Sequence, residues 1–287
     1  MSTDLQPFTI NDLRRLVGTP NKTAMLTCYD YTTATQLTRA GVPMLLVGDS
    51  AASVILGHAS TLPVTLDFLI TLTCAVKRGA PKALVVGDLP FGSYHASDAQ
   101  AVESACRMIK ESDCDAVKLE VGPQQLSAVK RLAGAGVAVI AHLGLRPQSV
   151  SLLGGYRYQG RTAAEAQQIV DACRAFADAG AAAILLEAVP PEVSARVVRD
   201  VCVPVIGCGA GPACHAHVVV LQDLLKQTPR QAKFVPDTGP DASVIEIATR
   251  YVSLIATGAY PAPQHCYAMP EAERALFMNQ PGEQITV

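Results

Sequence analysis

Three carboxylates in this chain, Asp49, Asp88 and Glu120, each close a short apolar run. Gathered in one low-dielectric cup, they would repel one another unless a cation joined them. Carboxylate oxygens suit a hard ion, which makes Mg2+ the default choice. Such an ion can chelate the keto and carboxylate oxygens of an α-keto acid, polarise its carbonyl and stabilise a developing enolate. The alternative is that one or two of the three acids simply pair with a nearby Lys or Arg.

Four further residues fit the same chemistry. Lys118 lies two positions before Glu120, so on a strand both share a face. A buried lysine needs a counter-charge, which is either a substrate carboxylate or oxyanion, or one of the acids. Ser50 follows Asp49 and can hydrogen-bond a substrate; with no G-x-S-x-G elbow, a nucleophile's role suits it less. His142, within Ala141-His142-Leu143-Gly144, either orients a ligand group or is a satisfied barrel histidine. Glu187 follows Ile184-Leu185-Leu186. Apolar surroundings raise a carboxyl's pKa and suit it to act as general base at a proton α to a carbonyl; the alternative is a structural ion pair. His215 and His217 are read at the start of a helix, where their spacing puts them on different faces, so a metal role is not assigned. Gly207, Gly209 and Gly211 read as a tight strand-to-helix turn near a ligand rather than a dinucleotide fingerprint.

The elements that must position these groups alternate along the chain. Continuous apolar runs at 24–29, 44–49, 83–88, 116–120, 137–142, 183–187 and 203–207 read as buried parallel strands, with a weaker eighth at 233–236. Helical segments lie between them, at 66–78, 97–110, 124–133, 162–179 and 191–199. Ser97-Asp98 opens one helix, and Gly41, Gly79, Gly136 and Gly180 stand where helices stop. A doubly wound open sheet is the rival of a closed barrel. The polar groups that end the strands (Asp30, Asp49, Asp88, Glu120, His142, Glu187) favour a (β/α)8 TIM barrel, because there they converge on one face. The 287 residues match the roughly 250 such a barrel needs. The prediction is one barrel domain over 1–287, with an N-terminal extension at about 1–22 and an irregular tail from about 258. The long loop 144–161 is a candidate lid.

Composition narrows the partners. Hydrophobic residues make up 49% and charged residues 17%, with a formal net charge of −2, as for a globular chain with a large core. No basic cluster points to nucleic acid. No apolar run spans a bilayer, and Met1 to Asn11 carries no signal-peptide pattern. Nine cysteines at wide spacing without C-x-x-C suggest reduced thiols in the cytoplasm.

Several segments together resemble the ketopantoate hydroxymethyltransferase (3-methyl-2-oxobutanoate hydroxymethyltransferase) family. They include Thr27-Cys28-Tyr29-Asp30-Tyr31, Leu46-Val47-Gly48-Asp49-Ser50, Ser60-Thr61-Leu62-Pro63-Val64-Thr65 and Gly87-Asp88-Leu89-Pro90-Phe91-Gly92-Ser93-Tyr94. Val117-Lys118-Leu119-Glu120, Ala141-His142-Leu143-Gly144, Pro147-Gln148-Ser149, Leu186-Glu187 and Gly207 with Gly209-Ala210-Gly211 follow in order. The resemblance runs from about residue 8 to 260. It implies a TIM barrel, one Mg2+ per subunit and a cytoplasmic homodecamer. It implies transfer of a hydroxymethyl group from 5,10-methylenetetrahydrofolate to 3-methyl-2-oxobutanoate in pantothenate biosynthesis. By position, Asp49, Asp88 and Glu120 match the metal acids, Ser50 and Lys118 the keto-acid contacts, and Glu187 the general base.

The sequence departs from the family pattern at Ala51-Ala52-Ser53, at Ala59, at Thr71-Leu72-Thr73 and at His215-Ala216-His217. These sit near the expected folate side and the subunit contacts. Two other readings stand beside this one. One is a metal-enolate enzyme resembling the phosphoenolpyruvate mutase and isocitrate lyase group, whose Cys-bearing loop has no counterpart here. The other is a non-catalytic barrel, which would keep a buried acid cluster at a cost in stability.

Overall fold

The computed structural model describes residues 6–279; the ends of the expected N-terminal extension and tail, residues 1–5 and 280–287, lie outside them. Eight parallel strands close into a barrel in sequence order. They are β1 (Thr23–Thr27), β2 (Met44–Val47), β3 (Leu84–Asp88), β4 (Ala116–Glu120), β5 (Val139–Gly144), β6 (Ala183–Glu187), β7 (Val205–Cys208) and β8 (Ala216–Val219). β8 pairs back on β1 from Thr23↔Ala216 to Leu26↔Val219. Strands β2, β3, β4, β7 and β8 are buried at every position, as expected where helices cover one face and the barrel interior the other.

The helices form because their apolar positions recur on one face and their ends are capped. Ser97 Oγ accepts from Gln100 N at 3.1 Å, and Thr162 with Glu165 closes a capping box on the helix Ala163–Asp178. Gly41, Gly136 and Gly180 take positive φ where helices end. Gly79 serves differently. It is the last residue of the helix Leu66–Gly79, and a Cβ there would lie 2.5 Å from Tyr31 O and 2.8 Å from the Ala34 Cβ. It lets that helix pack closely on Tyr31–Arg39.

Two expectations are corrected. The eighth strand is Ala216–Val219, not 233–236, where no strand forms. Val218 and Val219 supply its apolar character, while His215 and His217 lie at its start and within it rather than on a helix. The tail is not irregular throughout: Glu271–Asn279 is a helix. Its Phe277 is fully buried, with the Arg196 guanidinium 4.9 Å from the ring centre. In the N-terminal extension, Ile10–Arg14 forms a short helix closed by a Thr9–Asp12 capping box. No helix of the described residues is long and apolar enough to cross a membrane.

Candidate active site

A cavity of about 1260 Å3 opens at the C-terminal ends of the strands, the face on which TIM barrels carry their sites. Its lining includes Asp49, Ser50, Asp88, Lys118, Glu120, His142 and Glu187. All seven residues singled out in the sequence therefore reach one place. Asp30 does not: it is exposed and caps a helix by accepting from Thr33 N at 2.8 Å.

Strand register explains how the floor is built. Asp88 ends β3 directly beside Lys118 of β4. The Lys118 Nζ lies 2.7 Å from Asp88 Oδ1 and 2.6 Å from Oδ2. Both side chains are buried, so the pair is strongly felt. Asp88 Oδ2 also accepts from the Asp49 backbone N at 3.0 Å, which draws the residues after β2 onto β3. Burial pulls the Lys118 ammonium down, but Asp88, Asp49 and Glu120 outweigh it and hold the ammonium charged. Burial raises the Asp88 carboxyl to about 7 against the pull of Lys118.

Glu120 is held by a residue to which the sequence reading gave no role. The Gln148 backbone N donates to both Glu120 oxygens, at 3.0 and 3.2 Å. The Gln148 side-chain Nε2 donates to Asp49 Oδ2 at 2.9 Å and to Leu89 O at 3.0 Å, and its Oε1 accepts from Tyr94 OH at 2.7 Å. Tyr94 OH also lies 3.2 Å from Glu120 N and 3.1 Å from Glu120 O. Gln148 is buried behind the cavity wall and ties Asp49 to Glu120. Its only sequence signal was its place in the Pro147-Gln148-Ser149 segment. Likewise Tyr29 OH lies 2.8 Å from Ser50 Oγ and fixes that hydroxyl.

On the far side, Glu187 ends β6 in register with Gly144 and Cys208. Gly144 has φ +89, and any Cβ there would run into Glu187 O, so glycine lets β5 pass close to the acid. Burial pushes the Glu187 carboxyl up to about 8. His142 Nε2 lies 3.3 Å from Glu187 Oε2, and Nδ1 lies 3.9 Å from Glu120 Oε1. Among the described residues neither ring nitrogen has a hydrogen-bond partner. Burial first, and Lys118 second, hold this imidazole neutral.

The floor thus carries four carboxylates against one ammonium. Burial pushes Glu120 well up, and Asp49 and Asp88 push it further; this surplus of negative charge is what a divalent cation relieves. Among the described residues no group of three or more His, Cys, Asp or Glu is gathered closely enough to hold a metal. Asp88 is turned to Lys118, and Glu120 to Gln148. A cage is not required, because Mg2+ keeps several waters and takes one or two carboxylates together with substrate oxygens. The donor set fits such an ion.

Comparison with known proteins gives the family and supports the fold. The family model described as ketopantoate hydroxymethyltransferase matches residues 7–263. A protein of Thermobifida fusca named 3-methyl-2-oxobutanoate hydroxymethyltransferase is 46% identical over 261 residues, 91% of this chain and 93% of its own. One of the same name from Mycolicibacterium vanbaalenii is 48% identical over 86% of this chain and 89% of its own. Among solved structures, the phosphoenolpyruvate phosphomutase of Streptomyces platensis superposes with a TM-score of 0.58 at 16% identity, over 77% of this chain and 83% of that one. At that identity the likeness is one of fold alone.

Proposed function

This chain belongs to the ketopantoate hydroxymethyltransferase family, and on that premise we propose that it moves a hydroxymethyl group from 5,10-methylenetetrahydrofolate to 3-methyl-2-oxobutanoate. The product is 2-dehydropantoate, a precursor of pantothenate. One water is consumed, and it supplies the new hydroxyl oxygen.

Glu187 carries this reading. Its carboxyl is raised to about 8, faces the same cavity as Asp49, Asp88 and Lys118, and stands across it from their end of the floor. It removes the proton from C3 of the keto acid, and the C3 electron pair forms the new bond to the donated carbon, whose two bonds to folate nitrogens are broken by the added water to leave tetrahydrofolate. Lys118, charged and buried, faces the negative charge that develops on the keto oxygen. The hydroxyl of Ser50, steadied by Tyr29, binds the substrate carboxylate or keto oxygen. His142, neutral and unpartnered, offers one ring nitrogen to the substrate or the departing proton. Asp49 and Asp88, with Glu120 behind them, would hold Mg2+, which supplies Lewis-acid polarisation of the keto carbonyl when bound. The reading places the protein in the cytoplasm as a homo-oligomer, a decamer by the family resemblance.

Deuterium exchange at C3 of 3-methyl-2-oxobutanoate, followed by NMR with and without Mg2+, tests it. Exchange that needs the metal and is lost in Glu187→Gln is the expected result. A folded, metal-loaded wild type that exchanges nothing removes this substrate.

A further inference from the structure

Around Glu187 the cavity wall is apolar. Glu187 stands in register with Gly144 on one side and Cys208 on the other. Gly144 adds no side chain. Burial drives the Cys208 thiol well above its ordinary range, so it stays uncharged. Leu185, two positions before Glu187 on β6, shares its face and lines the cavity, as does Val218 on β8, the strand beside β7. The nearby His142 imidazole is held neutral by burial. The full cations of the lining lie elsewhere. Lys118 is held to Asp88 at 2.6 Å, and Arg157, Arg161 and Arg230 are exposed at the mouth.

A bound keto acid therefore meets an uneven field along its length. Its keto-acid end meets Lys118 and Ser50. Its C3 meets Glu187 and the apolar patch. A carboxylate carried on C3 would be drawn out of water with no counter-charge, which raises its free energy. Binding of the keto-acid end offsets that cost and holds the molecule in place. Room is not limiting: about 1260 Å3 exceeds the roughly 300–1,000 Å3 of sites for drug-sized ligands.

Cleavage of the bond from C3 to that carboxylate relieves the cost. The carboxylate leaves as neutral CO2. The bonding pair moves into C2–C3 and charge passes to the keto oxygen, which Lys118 faces. C3 then takes the proton of Glu187, whose carboxyl holds one below about pH 8, and solvent restores it. One proton is consumed, and neither an oxidant nor a second substrate is needed.

We propose that the same cavity decarboxylates 2-oxo acids that carry a second carboxylate on C3, leaving the enolate that removal of a C3 proton would give. This activity rests on the reading of the cavity as an enolate-forming site.

The probe is 2-oxo-3,3-dimethylsuccinate, which has no C3 hydrogen for a base to remove and becomes 3-methyl-2-oxobutanoate on loss of CO2. NMR in deuterated buffer follows that product and its C3 deuterium, with Mg2+ and protein and with Mg2+ alone. Release with protein should be saturable and about tenfold or more faster than with Mg2+ alone. The C4 methyl ester of the probe lacks the second charge. It should show a lower inhibition constant than the diacid against C3 proton exchange of 3-methyl-2-oxobutanoate. Val218→Lys gives the departing carboxylate a cation. It should lower the KM of the diacid and slow CO2 release about tenfold, with circular dichroism as the check on folding; should it not fold, the ester comparison decides. Release no faster than with Mg2+ alone, by protein that does exchange the C3 proton, overturns the proposal. Tighter binding of the diacid than of the ester, or undiminished release by a folded Val218→Lys, does the same. Absence of both exchange and release overturns the enolate-forming reading along with it.

Discussion

The cavity is shared by two arcs of the barrel that differ in kind. From β2 to β6 each strand delivers an ionisable group: Asp49, Asp88, Lys118 with Glu120, His142 and Glu187. From β7 through β8 to β1 the lining is Cys208, Val218, Val219 and Thr27, and Thr27 Oγ1 is already engaged by Leu221 N at 2.9 Å. Even their buried histidines differ. His142 opens on the cavity, whereas His217 is turned to Tyr260, edge-on at 5.7 Å. The first arc holds charge out of water, which weakens a fold. The second packs like any core and restores stability. The proposed reaction falls on the arc where charge is held out of water.

Several perturbations can break or sharpen that contrast. Glu187→Gln should lower C3 proton exchange by about 10²–10⁴-fold, the usual worth of a positioned base, and raise the melting temperature; a fall in both would deny the trade between activity and stability. Lys118→Met leaves Asp88 buried without its cation and should cost about 3–5 kcal/mol in denaturant unfolding. Gln148→Leu removes the amide that donates to Asp49 and accepts from Tyr94, and should cost about 1–3 kcal/mol, with weaker Mg2+ binding by calorimetry. Unchanged metal affinity there would show that Gln148 braces the fold alone.

The pH dependence of stability is a subtler expectation. Glu187 at about 8 and Asp88 at about 7 both lie above their values in the unfolded chain, so the native state holds more protons. Their contribution is fully present below the unfolded values near pH 4. Metal-free protein should therefore lose stability as pH rises from about 4 through 8, and Mg2+ should flatten the decline. Exchange by Glu187, in contrast, should rise with pH as its carboxylate forms. The smallest effect belongs to the quiet arc: Cys208→Ala should cost about 1 kcal/mol and leave exchange in place.

The first arc was readable because each of its charged groups closes an apolar run, and strand periodicity then fixes where the side chain points. β8 escaped because it spans four residues and carries His217 in its middle, while Lys233-Phe234-Val235-Pro236 looks more like a strand on composition. Segment 233–236 instead packs as a loop, with Phe234 buried where a Cβ on Gly209 would sit. Helix Glu271–Asn279 carried a start signal in Pro270 with Glu271 and Glu273, hidden by the prolines around it. The bridging role of Gln148 depends on contacts between residues far apart in the chain, such as Asp49 and Gln148, which local patterns do not encode.

Gln148 also stands at the root of the loop that ends at Arg161. It is locked to β2, β3 and β4 by its partners, so the stretch from Val150 onward hangs from a fixed post. Its far end is tied down separately, by Gln159 N to Ala188 O at 2.9 Å and by Tyr158 OH to Ala268 O at 3.2 Å, so Asp49 and Glu120 do not rely on it for their placement. The chain has in effect uncoupled two clocks: the time a ligand stays and the time a bond takes to form. Substitutions at exposed positions of that stretch, such as Leu152, should change the first more than the second.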